Sequence, residues 1–369
     1  MPTPVRTVLD SLLRTFDRLV LGVFFRKIEV VGQHRLPPDG ARIYVGNHGN
    51  SLIDPALALG WLPRGVRFLA KSTLWRHPLV GLFVRLAGAV PVYRQQDRGV
   101  DTRRNHEMFS RSYDILTGGG AIALFPEGMS HSEPQLQPLK TGAARLALGT
   151  LRRRPGCALR IVPFGLHFED RTRFRSAALI EIGNGIDPTP HLTDAGEDDR
   201  EAVLALTGEI EKALGRVTIS YGSWEEAHLI RRGATLFSRD EGRSGTGLAG
   251  GLSYQRAFAQ AYGELKTLYP EETATVRRAL RAYDRRLALT GLRDRQVAAE
   301  YPRRLVVRFL LRHLLDLLVL LPIGLVGTLI NWLPYRTPAA IARVCLLYTS
   351  DAADEFCHGG WWVGGGGGG

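Results

Sequence analysis

Nine apolar residues at helical spacing open the chain: Val5, Val8, Leu9, Leu12, Leu13, Phe16, Leu19, Val20 and Val23. Arg6, Asp10, Arg14, Asp17 and Arg18 fill the other face, so the pattern predicts an amphipathic helix. It is too charged to span a bilayer and lies either at a membrane interface or on the domain's own core. A strand is predicted at residues 27–31. From residue 41 short apolar runs alternate with helical stretches: strands at 43–45, 66–70, 89–93, 121–125 and 161–164, with one more at 178–183, and helices at 110–116 and 142–151. This is an α/β pattern with a largely buried sheet.

The pattern changes near residue 190. Residues 199–214 read as a charged amphipathic helix, 239–251 (RDEGRSGTGLAGG) as a flexible connector, and 254–268 and 273–289 as Arg-rich helices. No strand signal and no internal repeat follows. Residues 314–333 hold one charge, Asp316, over a length sufficient to cross a bilayer. Arg303, Arg304, Arg308 and Arg312 precede them and place that side in the cytoplasm. Pro322, Gly324 and Gly327 are potential breaks that would turn the span into a re-entrant hairpin. In residues 345–369 (CLLYTSDAADEFCHGGWWVGGGGGG) the first eleven back-translate to a sequence that resembles a transposase-type sequencing adapter read in frame, and the closing Gly run fits poly-G. The native frame is therefore expected to break off near Val344, and this stretch is set aside from fold reasoning. The expected organisation is an amphipathic helix (1–27), an α/β domain (28–190), a helical extension (191–303), a membrane-associated segment (304–344) and the read-through (345–369).

Charge sharpens the picture. The formal net charge is +12, and only Lys27, Lys71, Lys140, Lys212 and Lys266 among the 48 basic residues are lysines. An arginine surplus suits anionic membranes, phosphorylated substrates or nucleic acid, or follows from GC-rich codon usage. Without a stacking-aromatic or helix-turn-helix pattern, nucleic acid is not an expected partner. Three cysteines without a pairing pattern fit a reducing compartment, and no Cys/His cluster suggests a metal. Cys157 reads as a packing residue. The N-terminus shows no secretory signal pattern.

Candidate chemistry collects at strand ends. Gly46-Asn47-His48-Gly49-Asn50-Ser51-Leu52-Ile53-Asp54-Pro55 follows the strand at 43–45. An imidazole beside a carboxylate suggests a general base with its orienter. Residues six apart do not share a face of a continuous helix, and Pro55 disfavours helical geometry at Asp54. A turn that folds the carboxylate back onto the ring is therefore expected. Gly88-Ala89-Val90-Pro91-Val92-Tyr93-Arg94 delivers an arginine at a strand end, where it either grips a phosphate or pairs with a surface acid. Leu124-Phe125-Pro126-Glu127-Gly128-Met129-Ser130-His131 ends another strand in a turn. Gly128 there permits positive φ or close approach, and Glu127 either binds glycerol hydroxyls or holds Arg94. Ile161-Val162-Pro163-Phe164 closes the series.

In this order the four blocks resemble the glycerol-phosphate and lysophosphatidate acyltransferase family, over about residues 29–185. The resemblance implies a mixed sheet flanked by helices. It implies His48 as base and Asp54 as its partner, with Arg94, Glu127 and Gly128 on the acceptor's phosphate and glycerol. Lys71 and Lys140 lie in stretches similar to the family's substrate-binding ones. The commonest family form places four residues between His and Asp; position 53 here is Ile, so the acid is Asp54. That spacing is similar to an Asn-His-x-Asn-x-x-x-Asp-Pro subgroup that includes enzymes acting on glycerol 3-phosphate as well as on lysophosphatidate. The implied reaction moves a fatty acyl group from acyl-CoA or acyl-carrier protein to 1-acyl-glycerol 3-phosphate, with no cofactor and no metal. Glycerol 3-phosphate or dihydroxyacetone phosphate is the alternative acceptor, and a non-enzymatic basic membrane-binding protein the alternative class. The expected setting is the cytoplasmic face of the inner membrane, with membrane lipids as partners.

Overall fold

The computed structural model describes residues 4–63, 65–94, 101–193, 199–240, 247–292, 294–297 and 302–358. The chain divides into two units, residues 1–281 and 282–369.

The first unit is built on a seven-stranded sheet: β1 (Lys27–Val31), β2 (Ala41–Gly46), β3 (Val66–Lys71), β4 (Val90–Val92), β5 (Ala121–Leu124), β6 (Leu159–Phe168) and β7 (Ala177–Ile182). Its order is β1-β7-β6-β2-β5-β3-β4. Every pairing is parallel except β6 with β7. The fold is thus α/β with a mixed sheet. The strand expected at 161–164 extends to Phe168, because the antiparallel pairing with β7 occupies residues 164–168. β2 and β5 are buried along almost their whole length, as continuous apolar runs in a two-sided sheet require.

One face of the sheet is covered by α4 (Asn105–Thr117), α5 (Gly142–Arg153) and α6 (Arg200–Val217), whose Leu116, Leu146, Leu148, Leu206 and Leu214 pack on Ile43, Ile122 and Ile161. The helix α6, read from the sequence as part of an extension, therefore completes this core. The other face is covered by α1 (Pro4–Phe24), α2 (Ile53–Trp61) and α3 (Pro78–Leu86), with Leu21, Phe25, Leu57 and Leu62 against Tyr44, Val162 and Phe164. Beyond them, α7 (Trp224–Asp240), α8 (Gly247–Leu268) and α9 (Pro270–Thr290) are helical throughout. The connector expected at 239–251 is thereby corrected at both ends. Residues 239–240 finish α7 and 247–251 begin α8, where Glu29 accepts from the Leu248 and Ala249 N–H groups that α8's first turn leaves free. Residues 241–246 lie outside the described residues.

The orientation of α1 is the least expected feature. Its charged stripe faces the protein: Arg14 and Asp17 are only 4% and 6% exposed. Arg14 donates to the carbonyls of Leu62 (2.6 Å) and Pro63 (2.7 Å), and Arg18 to that of Gly60 (2.7 Å). Two cations thus satisfy orphan carbonyls at the C-terminal end of α2, the negative end of its dipole. Leu12, Phe16, Leu19 and Val23 are left 59–67% exposed. On the neighbouring α3, Leu79 (77%) and Leu82 (56%) are also exposed.

Burial pushes the Asp17 carboxyl up from 3.8 to about 7, against the opposing pull of Arg14 and Arg18. Its Oδ2 is buried and has no hydrogen-bond partner among the described residues. Between those two values the folded state holds a proton that the unfolded state has lost, so stability falls as pH rises from about 4 through 7. Asp17→Asn removes the penalty. It is expected to match the parent at pH 4 and to exceed it at pH 8 by about 2–4 kcal/mol. Urea melts at the two pH values check this, and an equal effect at both would assign Asp17 no titration role.

The second unit contains the end of α9, a short α10 (Asp294–Val297) and α11 (Arg303–His358). The stretch Arg303–Trp332 is 30 residues long and contains an unburied 18-residue window with a mean hydropathy of 2.1, so it is long and apolar enough to cross a membrane. The helix runs unbroken through Pro322, Gly324 and Gly327, so the break considered from the sequence does not occur. A single proline removes one ladder hydrogen bond, and the leucine-rich turns on either side retain theirs.

Candidate active site

Parallel pairing aligns the carboxyl ends of β2, β5, β3 and β4, and the four sequence blocks meet along that edge. This is where open α/β sheets place their ligands. His48 leaves the end of β2 and Asp54 lies in the first turn of α2. Helical geometry at Asp54, disfavoured from the sequence by Pro55, is nonetheless adopted. A proline in the first turn replaces an N–H that would have no intrahelical partner. Asn50 steadies the entry, its Oδ1 accepting from the N–H groups of Leu52 and Ile53. The intervening turn folds the carboxylate back, and Asp54 Oδ2 lies 3.2 Å from His48 Nδ1 while accepting from Asn50 N–H at 2.6 Å. Asp54 is fully buried, and its Oδ1 has no hydrogen-bond partner among the described residues.

The imidazole is held from three sides. Its ring stacks on Phe125 at 4.2 Å and 13°. The His48 backbone N–H donates to Glu127 Oε1 at 2.7 Å, and the His48 carbonyl accepts from His131 N–H at 3.2 Å. With Nδ1 turned to the carboxylate, the proton-accepting nitrogen is Nε2, which has no partner among the described residues.

Glu127 is 3% exposed. Its Oε1 takes the His48 N–H, and its Oε2 takes the Gln137 N–H (2.9 Å) and the His131 ring Nε2. His131 Nδ1 accepts from Glu133 N–H at 3.2 Å, so the ring proton sits on Nε2 and is given to Glu127. The sequence suggested that Glu127 reaches glycerol hydroxyls or Arg94. In the structure both oxygens accept hydrogen bonds within the chain, and Oε1 holds the His48 backbone. Gly128 has φ +75°, and its carbonyl accepts from Arg94 Nη1 at 2.7 Å. Asn105 clamps the Tyr93 backbone in both directions (3.0 and 2.8 Å) and so fixes where Arg94 emerges.

Lys71 ends β3 beside Val92 of β4, on the same sheet edge as Arg94. Lys140 is exposed, its backbone N–H bonds the Pro126 carbonyl (2.7 Å), and its stem passes beside Gly128. Ser51 and Ser130 hydroxyls join the two loops over a cleft of about 310 Å³ lined by residues 49–52 and 130–132. Among the described residues no cluster of His, Cys, Asp or Glu has the arrangement of a metal site. Sequence reasoning missed three contributors. Asn47 exchanges hydrogen bonds with the Leu166 backbone (2.7 and 3.3 Å) and ties the loop to β6. Phe125 and His131 fall inside a quoted block, but their contacts become visible only in three dimensions.

Several known proteins are similar to parts of this chain. Residues 27–167 match the family model described as Acyltransferase. An uncharacterised acyltransferase of Schizosaccharomyces pombe is 25% identical over 83% of this chain and 58% of its own length. Glycerol-3-phosphate O-acyltransferase 2 of Saccharomyces cerevisiae is 30% identical over 52% of this chain and 26% of its own length. The chloroplastic 1-acyl-sn-glycerol-3-phosphate acyltransferase LPAT1 of Arabidopsis thaliana is 30% identical over 34% of each. The chain thus spans little more than half of the first relative and about a quarter of the second. Residues 27–167 are similar to the Acyltransferase family model, and the similar proteins include ones named glycerol-3-phosphate and 1-acyl-sn-glycerol-3-phosphate acyltransferases.

Proposed function

We propose that this protein transfers a fatty acyl group from a thioester donor, acyl-CoA or acyl-carrier protein, to a hydroxyl of a glycerol-phosphate acceptor. The observation that carries the reading is the buried Asp54 carboxylate on His48 Nδ1, with Nε2 left free to take a proton. The acceptor O–H gives its proton to Nε2 as its oxygen attacks the thioester carbonyl. Asp54 stabilises the imidazolium. The C–S bond breaks as the carbonyl re-forms, and the imidazolium returns the proton to the leaving thiolate, giving an ester and a thiol. Glu127 and Phe125 hold the ring in place, and no protein nucleophile or cofactor is needed.

The acceptor taken first is 1-acyl-glycerol 3-phosphate, one of the two acceptors of the family that the four blocks resemble. A second reading, glycerol 3-phosphate, is favoured by the two budding-yeast glycerol-3-phosphate O-acyltransferases, which match 52% and 62% of the chain, against 34% for the Arabidopsis lysophosphatidate enzyme. Parallel assays of the purified protein with both acceptors decide between them, and transfer to neither would reject the proposal. Arg94 and Gly128 are assigned to the acceptor's phosphate and glycerol, with Lys71 and Lys140 nearby. Arg94→Ala is expected to raise the acceptor KM about 10- to 100-fold with little change in the donor KM, as loss of a charge-assisted contact of about 1.5–3 kcal/mol implies. Equal effects on both substrates would leave Arg94 a structural role through the Gly128 carbonyl.

The reading extends to the membrane. Outward leucines on α1 and α3 suit an acyl-chain environment, with α11 as a second attachment. The assigned setting is the cytoplasmic face of the inner membrane, from the arginines at 303–312.

A further inference from the structure

Arg171 lies in the loop after β6, outside the four sequence blocks. Its Nη1 is 3.4 Å from the Gly49 carbonyl, so the guanidinium sits beside the residue that follows the base. A Cβ built on Gly49 would stand 2.2 Å from that nitrogen, so glycine is the residue that leaves the guanidinium its place. Phe168 supports it from below, its ring 5.2 Å from Arg171 Cζ.

Arg171 is half-buried, and burial pulls its guanidinium below the ordinary arginine value despite the favourable fields of Asp54 and Glu127. Among the described residues no carboxylate is within ion-pair distance of it, and the long contact to Gly49 is its one hydrogen bond. A guanidinium offers five N–H donors in a planar fork, and withdrawing it from water is costly unless an anion meets it. Glu127 has both oxygens engaged, with His48, His131 and Gln137, and Asp54 has Oδ2 on His48 and Asn50, leaving only its buried Oδ1 without a hydrogen-bond partner among the described residues.

We propose that Arg171 is a phosphate-binding residue of this site, gripping a phosphate of one of the two substrates from the β6 side while Arg94 stands on the β4 side. The inference rests on the acyltransferase reading for the identity of the phosphate: it belongs either to the acceptor's phosphomonoester or to the CoA portion of the donor. The fork geometry suits two phosphate oxygens at once.

The test is calorimetric titration of the full chain, and of Arg171→Gln and Arg171→Lys, with glycerol 3-phosphate and with CoA separately. The expected result is that Arg171→Gln weakens one of the two ligands about 10- to 100-fold, with Arg171→Lys intermediate because an ammonium supplies charge without the fork. Which ligand weakens identifies the source of the phosphate. Unchanged affinity for both, equal weakening of both accompanied by a lower melting temperature, or no binding of either ligand by the parent protein would overturn the assignment. Acyl transfer by the same samples is measured alongside. Binding that depends on Arg171 without any transfer would sink the proposed reaction and leave the anion site standing, whereas transfer with Arg171-independent binding would do the reverse.

Discussion

His48→Ala is expected to lower kcat by about 100- to 10,000-fold, the range typical for loss of a general base. The thermal midpoint should stay close to the parent's, because the ring is partly exposed and packs mainly on Phe125. Asp54→Asn tests the same mechanism from the other side. Asp54 Oδ2 serves both His48 Nδ1 and Asn50 N–H. An amide oxygen can still accept from Asn50, but it carries no charge to stabilise an imidazolium. A loss of similar size is therefore expected, with the turn kept. Steady-state rates with saturating donor, beside circular dichroism of each variant, make the measurement. A folded His48→Ala variant with near-parental turnover would reject the mechanism outright.

The second large effect concerns attachment to lipid. The intact chain is expected to stay on membranes through a high-salt wash and to leave only with detergent, because screening weakens surface charge and not a buried apolar helix. A chain ending before Arg303 loses the apolar stretch of α11, and with it the basic cluster worth about 1 kcal/mol per residue near an anionic surface. It is expected to remain partly bound through α1. Placing charges on the outward face of that shortened chain, as Leu12→Glu with Phe16→Glu, removes two side chains worth about 1.5–3 kcal/mol each when buried. Vesicle affinity should then fall by at least about 100-fold. Release of the intact chain by salt alone would show that α11 does not insert. Undiminished vesicle binding of the doubly charged form would show that α1's apolar face does not meet lipid.

Much of this was legible in the sequence because it depends on local chemistry. Alternating apolar runs and turns located the strands, since a strand buried on both faces must be continuously apolar. The spacing of His48 and Asp54, too long for one helical face, required a turn that brings them together, and the structure contains it. Helix starts were less legible: Pro55 argued against helix at Asp54, yet the first turn of α2 tolerates it because no donor is lost there. The apolar length of residues 314–333 was a matter of counting, whereas the unbroken course of α11 through Pro322 was not.

What the sequence by itself determined, then, is the set of strands, the order of the four blocks, the His–Asp pair and the two-sided character of the first helix. Tertiary structure alone decided which side of that helix turns inward. Amphipathicity names two faces without saying what meets them, and here Arg14 and Arg18 find the open carbonyls of α2, so Arg14 and Asp17 are buried while Leu12, Phe16, Leu19 and Val23 face out. It also decided the work of Glu127, whose oxygens are taken by the His48 and Gln137 backbones and by His131. Arg171 reaches Gly49 across 122 residues, and no local pattern encodes that meeting. It exists because β2 and β6 pair side by side, and a pairing between strands so far apart in the chain is a property of the folded sheet.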